Sequence, residues 1–161
     1  MWYSWLFVLM FLFSACYSFK GGSVPAHLKT IQIMSVIDNS GFGSPEYKVD
    51  LESELLDKFQ KDGALKPVQE GADAKISVII TSIQEAVQMV GSGELETERK
   101  LTVTVSAEYY DNIHSKQIWK KNFSAYSSFD VNKASLDRKT AMENIIPQLA
   151  EDIVLGVVSG W

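Results

Sequence analysis

From Leu101 to Tyr110 the chain alternates without a break. Leu101, Val103, Val105, Ala107 and Tyr109 take one parity, and Thr102, Thr104, Ser106, Glu108 and Tyr110 take the other. Successive side chains of a strand point to opposite faces, so this run reads as a strand with one face in a core and one face wet. A half-buried strand requires pairing partners on either side and a second layer over its apolar face. The neighbours have the right character. Lys75 to Val90 is strand-like, with Ile76, Val78 and Ile80 on one face and Ile79 and Ile83 on the other. Apolar residues on both faces suggest a central strand or one covered on two sides. After a turn over 111–115, Trp119, Phe123 and Ala125 alternate with Lys120, Asn122 and Ser124. Three consecutive strands with short polar turns form an antiparallel meander.

Two amphipathic segments supply the second layer. In the first, Tyr47, Leu51, Leu55 and Phe59 repeat every four residues and make one apolar helical face. Ser44 is placed to cap it, Pro45 suits the first helical position, and Gly63 suits a left-handed end. In the second, from about Ser135, Ala141, Ile145, Leu149, Ile153 and Val157 share the same spacing. Pro147 should kink or break this helix near Ile146, and Gly156 and Gly160 should weaken its end. Trp161 is expected to pack over the sheet. Ile31, Ile33, Val36 and Ile37 mark a first strand over 29–37, and residues 64–68, interrupted by Pro67, form an edge at most. The expected fold is α+β, in the order β-α-β-β-β-α. Two helices pack on one face of a single, mostly antiparallel or mixed, four-stranded sheet.

The amino-terminal part has a different character. Residues 1–15 contain no Asp, Glu, Lys or Arg and end in Phe13-Ser14-Ala15, followed by Cys16, the sole cysteine of the chain. An apolar run of this length falls short of the roughly 20 residues a spanning helix needs and matches the core of a secretory signal peptide. A cysteine directly after it reads as a bacterial lipobox, in which the thiol takes a diacylglycerol and becomes the first mature residue. The expected organisation is a lipoprotein-type signal peptide over 1–15, lipidated Cys16 and a tether over 16–28, and one domain over 29–161. With no second cysteine, no disulfide can form within the chain and no cysteine-based metal site exists.

The formal net charge of −5, without long basic runs, argues against general nucleic-acid binding. Catalytic motifs are missing: there is no G-x-S-x-G elbow, and Gly41-Phe42-Gly43-Ser44 lacks the rest of a phosphate-binding fingerprint. His27 falls in the tether and His114 in a turn, neither with a motif around it; both read as surface histidines, and neither a metal nor a cofactor is expected. Two basic pairs, Arg99-Lys100 and Lys120-Lys121, lie on strands, so one member of each points to each face. On an open face they could contribute to an anion-binding patch, although lysine on strands also protects edges.

Cys16-Tyr17-Ser18-Phe19, Lys29-Thr30-Ile31-Gln32-Ile33, Ala72-Asp73-Ala74 leading into a strand, Leu101-Thr102-Val103-Thr104-Val105, Ile118-Trp119 and a terminal helix ending in Trp161 follow one another in an order and spacing that resemble the LptE family of lipopolysaccharide-assembly lipoproteins. The resemblance covers roughly residues 16–161 and is to a divergent branch of the family. It implies two helices against one sheet, no enzymatic activity, and a lipid anchor at Cys16 on the periplasmic side of the outer membrane. It further implies a role as plug and assembly subunit of the LptD β-barrel, with lipopolysaccharide as a second partner. By chemistry alone, Arg99, Lys100, Lys120 and Lys121 are the candidates for touching lipopolysaccharide. The alternative is another lipid-anchored periplasmic assembly factor or pilot protein of an envelope machine.

Overall fold

The computed structural model describes residues 24–42, 44–90 and 96–159, apart from the side chains of Glu96 and residues 133–136. The expected signal peptide, Cys16, residues 91–95 and Trp161 lie outside the described residues. Three long strands dominate: β4 (Ala74–Val90), β5 (Glu96–Asp111) and β6 (Lys116–Asp130). They form the expected antiparallel meander, with Val78 opposite Ala107 and Val105 opposite Phe123. Along β5 the alternation of the sequence is met residue for residue: Leu101, Val103, Val105, Ala107 and Tyr109 are buried, and the residues between them are half-exposed.

The sheet has six strands in the order β3 (Lys66–Pro67), β1 (Thr30–Ile33), β4, β5, β6, with β2 (Ile37–Asp38) also on β4; the expected count of four is corrected. The extra members are short. The apolar stretch read as one strand is two, β1 (Thr30–Ile33) and β2 (Ile37–Asp38), both parallel to β4. The amide of Met34 still donates to the Ile76 carbonyl (2.9 Å) and that of Asn39 to the Ile80 carbonyl (2.9 Å), so both pieces track one partner. β3 (Lys66–Pro67) pairs with β1 at the sheet edge. Lys66 donates to the Lys29 carbonyl and Val68 to the Ile31 carbonyl, both at 2.9 Å. The ladder thus uses the amides on either side of Pro67, which has none of its own.

A register shift between Ile80 and Ser82 changes the reading of β4. The extra residue moves Ile83 onto the face of Ile76, Val78 and Ile80, and all four are buried. The two apolar faces expected of this strand are mostly one face in two registers. Both helices cover that face: α1 (Glu46–Asp62) beside β1 and β3, and α2 (Ala134–Val158) across β6 and β5.

The repeating apolar residues of both helices are buried as expected. Gly63 ends α1 in the left-handed conformation, φ 73°, its amide donating to the Phe59 carbonyl at 3.1 Å. At the other end Pro45 is the capping residue, no side chain bonds the first turn, and only the Ser44 carbonyl accepts, from Tyr47. The expected Ser44 hydroxyl cap is not made. Helix α2 runs through Pro147 without a break. The flanking Ile145, Ile146, Leu149 and Ala150 are all buried, and that packing holds the helix together across the missing hydrogen bond. Gly156 also has a packing role: a β-carbon there would lie 3.0 Å from Phe123 Cζ and 3.5 Å from Trp119 Cζ2. Its lack of a side chain lets α2 approach β6.

Candidate functional site

The face of the sheet away from the helices is polar. Thr104 and Ser124 face each other across β5 and β6, their hydroxyls 3.2 Å apart, and the Ser128 hydroxyl donates to Gln88 Oε1 at 2.6 Å. Lys75 Nζ stands 4.7 Å from the centre of the Tyr110 ring, and Lys100 Nζ 4.0 Å from that of Tyr126. Such cation–ring contacts hold the lysine stems along the sheet with their charge outward. Beyond the polar field, the end of β4 exposes Val87, Met89 and Val90.

The two basic pairs split between faces, as strand geometry requires. Lys100 and Lys120 lie on the polar face. Lys100 is opposite Ser128, and Lys120 is opposite Glu108, its Nζ 3.7 Å from that carboxylate. Eight β5 positions separate the two points, about 27 Å at 3.3–3.4 Å per residue. Arg99 is on the other side, with Nη1 3.4 Å from Glu85 Oε2; Glu85 is also gripped by Arg138 through both oxygens. Lys121 Nζ lies 5.3 Å from the Trp119 ring centre. The four cations therefore do not converge on one site. A cleft of about 830 Å³ opens between the two helices, lined among others by Phe42, Tyr47, Arg138, Met142 and Ile146.

A compact polar cluster closes the opposite end of the sheet. Asp111 is the last residue of β5, continues its buried parity and is 5% exposed, the one buried charge among the described residues. Its Oδ1 accepts the backbone amide of His114 at 3.0 Å. Its Oδ2 lies 2.7 Å from His27 Nε2 and 2.8 Å from His114 Nδ1, and those nitrogens are 3.1 Å apart. Burial alone would raise the Asp111 carboxyl. The His114 amide and the two imidazoles outweigh it and hold the group well below the usual carboxylate range.

The supports are themselves bonded. Asn112 donates its amide to the Asp73 carbonyl (2.8 Å) and Nδ2 to the Ala72 carbonyl (2.9 Å). Asp73 Oδ2 accepts the amides of Lys29 (2.8 Å) and Thr30 (3.0 Å), while the Thr30 hydroxyl accepts the Asp73 amide (2.9 Å). Those bonds, from the Lys29 amide first, lower the Asp73 carboxyl. His27 itself sits in a turn closed by the Leu28 amide on the Pro25 carbonyl, with Leu28 buried. The two histidines, read from the sequence as unrelated surface residues, are thus neighbours. A sequence separation of 84–87 residues carries no local signal of it.

No helix among the described residues is long and apolar enough to cross a membrane. The fold recurs in solved structures at low sequence identity. It is similar to the hypothetical protein CT253 from Chlamydia trachomatis (10% identity, TM-score 0.60, covering 81% of this chain and 95% of that one). It is also similar to a minor lipoprotein from Acinetobacter baumannii (17%, 0.56, 81% and 92%) and to a PelC dodecamer from Paraburkholderia phytofirmans (12%, 0.57, 86% and 93%). No curated protein sequence matches significantly. The class these likenesses define is a fold class, a two-layer α+β domain with two helices on one face of a mixed sheet.

The sequence model of the LptE family, described as lipopolysaccharide-assembly, matches residues 28–156, and the chain belongs to that family. Membership places it at the outer membrane, lipid-anchored and facing the periplasm. Lipoproteins of this family are non-catalytic, and this chain is not an enzyme.

Proposed function

We propose that this chain is the plug and assembly subunit of an LptD-like outer-membrane β-barrel that delivers lipopolysaccharide to the outer leaflet, anchored through lipid on Cys16 after removal of residues 1–15. The observation that carries the reading, beside family membership, is the uncovered polar face of β4, β5 and β6. The lumen of a large barrel is polar, so a plug presents hydroxyl, amide and charged side chains to it. The apolar side chains of Val87, Met89 and Val90 give the same sheet an exposed end for contact. Lysines on the polar face, Lys100 and Lys120, are the cations best placed to meet lipopolysaccharide phosphate; Arg99 is engaged by Glu85, and Lys121 lies against Trp119. Affinity purification from gently solubilised envelopes tests the reading. It requires an equimolar large β-barrel with the chain and an acylated amino terminus at Cys16.

Similarity to a PelC dodecamer favours a second reading, a lipid-anchored periplasmic assembly factor that works as a ring of its own copies. In that case the purified chain is a large homo-oligomer and no barrel accompanies it.

A further inference from the structure

We propose that His27, Asp111 and His114 form a site for one divalent transition-metal ion of the zinc type, which ties the segment entering the domain to the β5–β6 turn. Three donor atoms converge there: His27 Nε2, His114 Nδ1 and Asp111 Oδ2, with edges of 2.7, 2.8 and 3.1 Å. Protons can serve only two edges of that triangle. If each imidazole donates to Oδ2, the two nitrogens face each other across the third edge with no acceptor between them. A cation at the centre satisfies all three lone pairs together.

The dimensions suit it. Ligand atoms around a tetrahedral zinc at about 2.0–2.1 Å stand about 3.3 Å apart, so the three edges need to lengthen by about 0.2–0.6 Å. Two imidazoles and a carboxylate are the borderline donor set that zinc takes where three protein ligands leave a fourth position open. Openness is also present: the side chains of His27 and His114 are 36% and 60% exposed while Asp111 is buried. The carboxylate is held from behind by the His114 amide on its second oxygen, the kind of outer support that fixes a ligand's orientation. Each ligand is on a different piece of backbone: the turn before β1, the end of β5, and the loop after it. An ion would therefore cross-link the entry segment to the sheet, independently of any partner the sheet binds.

The test is titration of the full-length chain, purified in detergent with a tag free of histidine, with ZnCl2 by calorimetry and with Co2+ by visible absorption. The expected result is one ion per chain and the intense visible bands of tetrahedral Co2+. His114→Ala and His27→Ala should each weaken binding at least about 100-fold, beyond what loss of an outer-shell partner does. His114 is mostly exposed, so unchanged far-ultraviolet circular dichroism is expected of that variant. Zinc should raise the melting temperature of the parent and leave that of His114→Ala unmoved. Absence of saturable binding, or binding and bands that survive in the His27→Ala/His114→Ala chain, would overturn the site.

Discussion

Replacing Gly156 by alanine tests how closely α2 is seated on β6. Helix propensity alone predicts a gain of about 1 kcal/mol, because glycine in a helix interior is that much worse than alanine. The structure opposes it. The new methyl would lie 3.0 Å from Phe123 Cζ and 3.5 Å from Phe123 Cε1 and Trp119 Cζ2, whereas carbon contacts are best at about 3.5–4.0 Å. Phe123 is half-buried and its ring must turn or the helix must lift. Overpacking of this size costs about 1–3 kcal/mol, so the net change is a loss of about 1 kcal/mol, or 2–4 °C for a domain of this size. Phe123→Leu removes both ring atoms in question. In that background Gly156→Ala should stabilise by about 1 kcal/mol, giving a coupling of about 2 kcal/mol between the two sites. Urea unfolding of the four chains, followed by circular dichroism, closes the cycle. A Gly156→Ala gain of the same size in both backgrounds would refute the close approach.

Tyr109 is 1% exposed, its hydroxyl has no hydrogen-bond partner among the described residues, and burial, with the nearby Asp111 charge, pushes its pKa up to about 12. Tyr109→Phe should therefore stabilise the fold by about 1 kcal/mol, the lower end of the penalty for an unsatisfied buried group; a clear loss in thermal melts would show that the hydroxyl is bonded. Leu55 of α1 is fully buried, and Leu55→Ala should cost about 2–5 kcal/mol in urea unfolding. The Asp73 carboxyl is lowered, first by the Lys29 amide. A lowered folded pKa gives stability that is present above the ordinary carboxylate range and is lost as pH falls through the folded value. Unfolding free energy measured from neutral to acid pH should fall less steeply for Asp73→Asn than for the parent, and equal slopes would remove this contribution. Lys100→Glu with Lys120→Glu should weaken binding of purified lipopolysaccharide without lowering the melting temperature; unchanged binding would take both residues out of the proposal.

Long periodic patterns were readable because their side chains repeat the geometry of the element that carries them. The β5 alternation and the four-residue spacing of Leu51, Leu55 and Phe59 leave no competing arrangement. β2 is not separable from β1 in the sequence, and β3 is legible only as an edge at most, because two residues cannot display a period; both exist through hydrogen bonds to β4 and β1 supplied by the tertiary fold. The bulge after Ile80 disguised one buried face as two. Pro147 misled in the opposite direction, since local backbone chemistry argues for a break and burial of its neighbours prevents one. At the functional level, strand parity separates Lys100 from Arg99 and Lys120 from Lys121, but the register that sets Lys100 about 27 Å from Lys120 comes from the pairing of β5 with β6 and not from either strand alone. The His27–Asp111–His114 triangle depends on a turn meeting a sheet end, which no local pattern encodes.

The central claim is that the polar sheet face meets the wall of a barrel. A photo-crosslinking residue placed at Ser106 or Ser124 on that face, and as a control at Asp57 on α1, tests it in living cells. The account predicts that the two sheet positions capture a large outer-membrane β-barrel protein at high yield and that the α1 position does so less. Capture of further copies of this chain, or no barrel adduct at either sheet position, would contradict it.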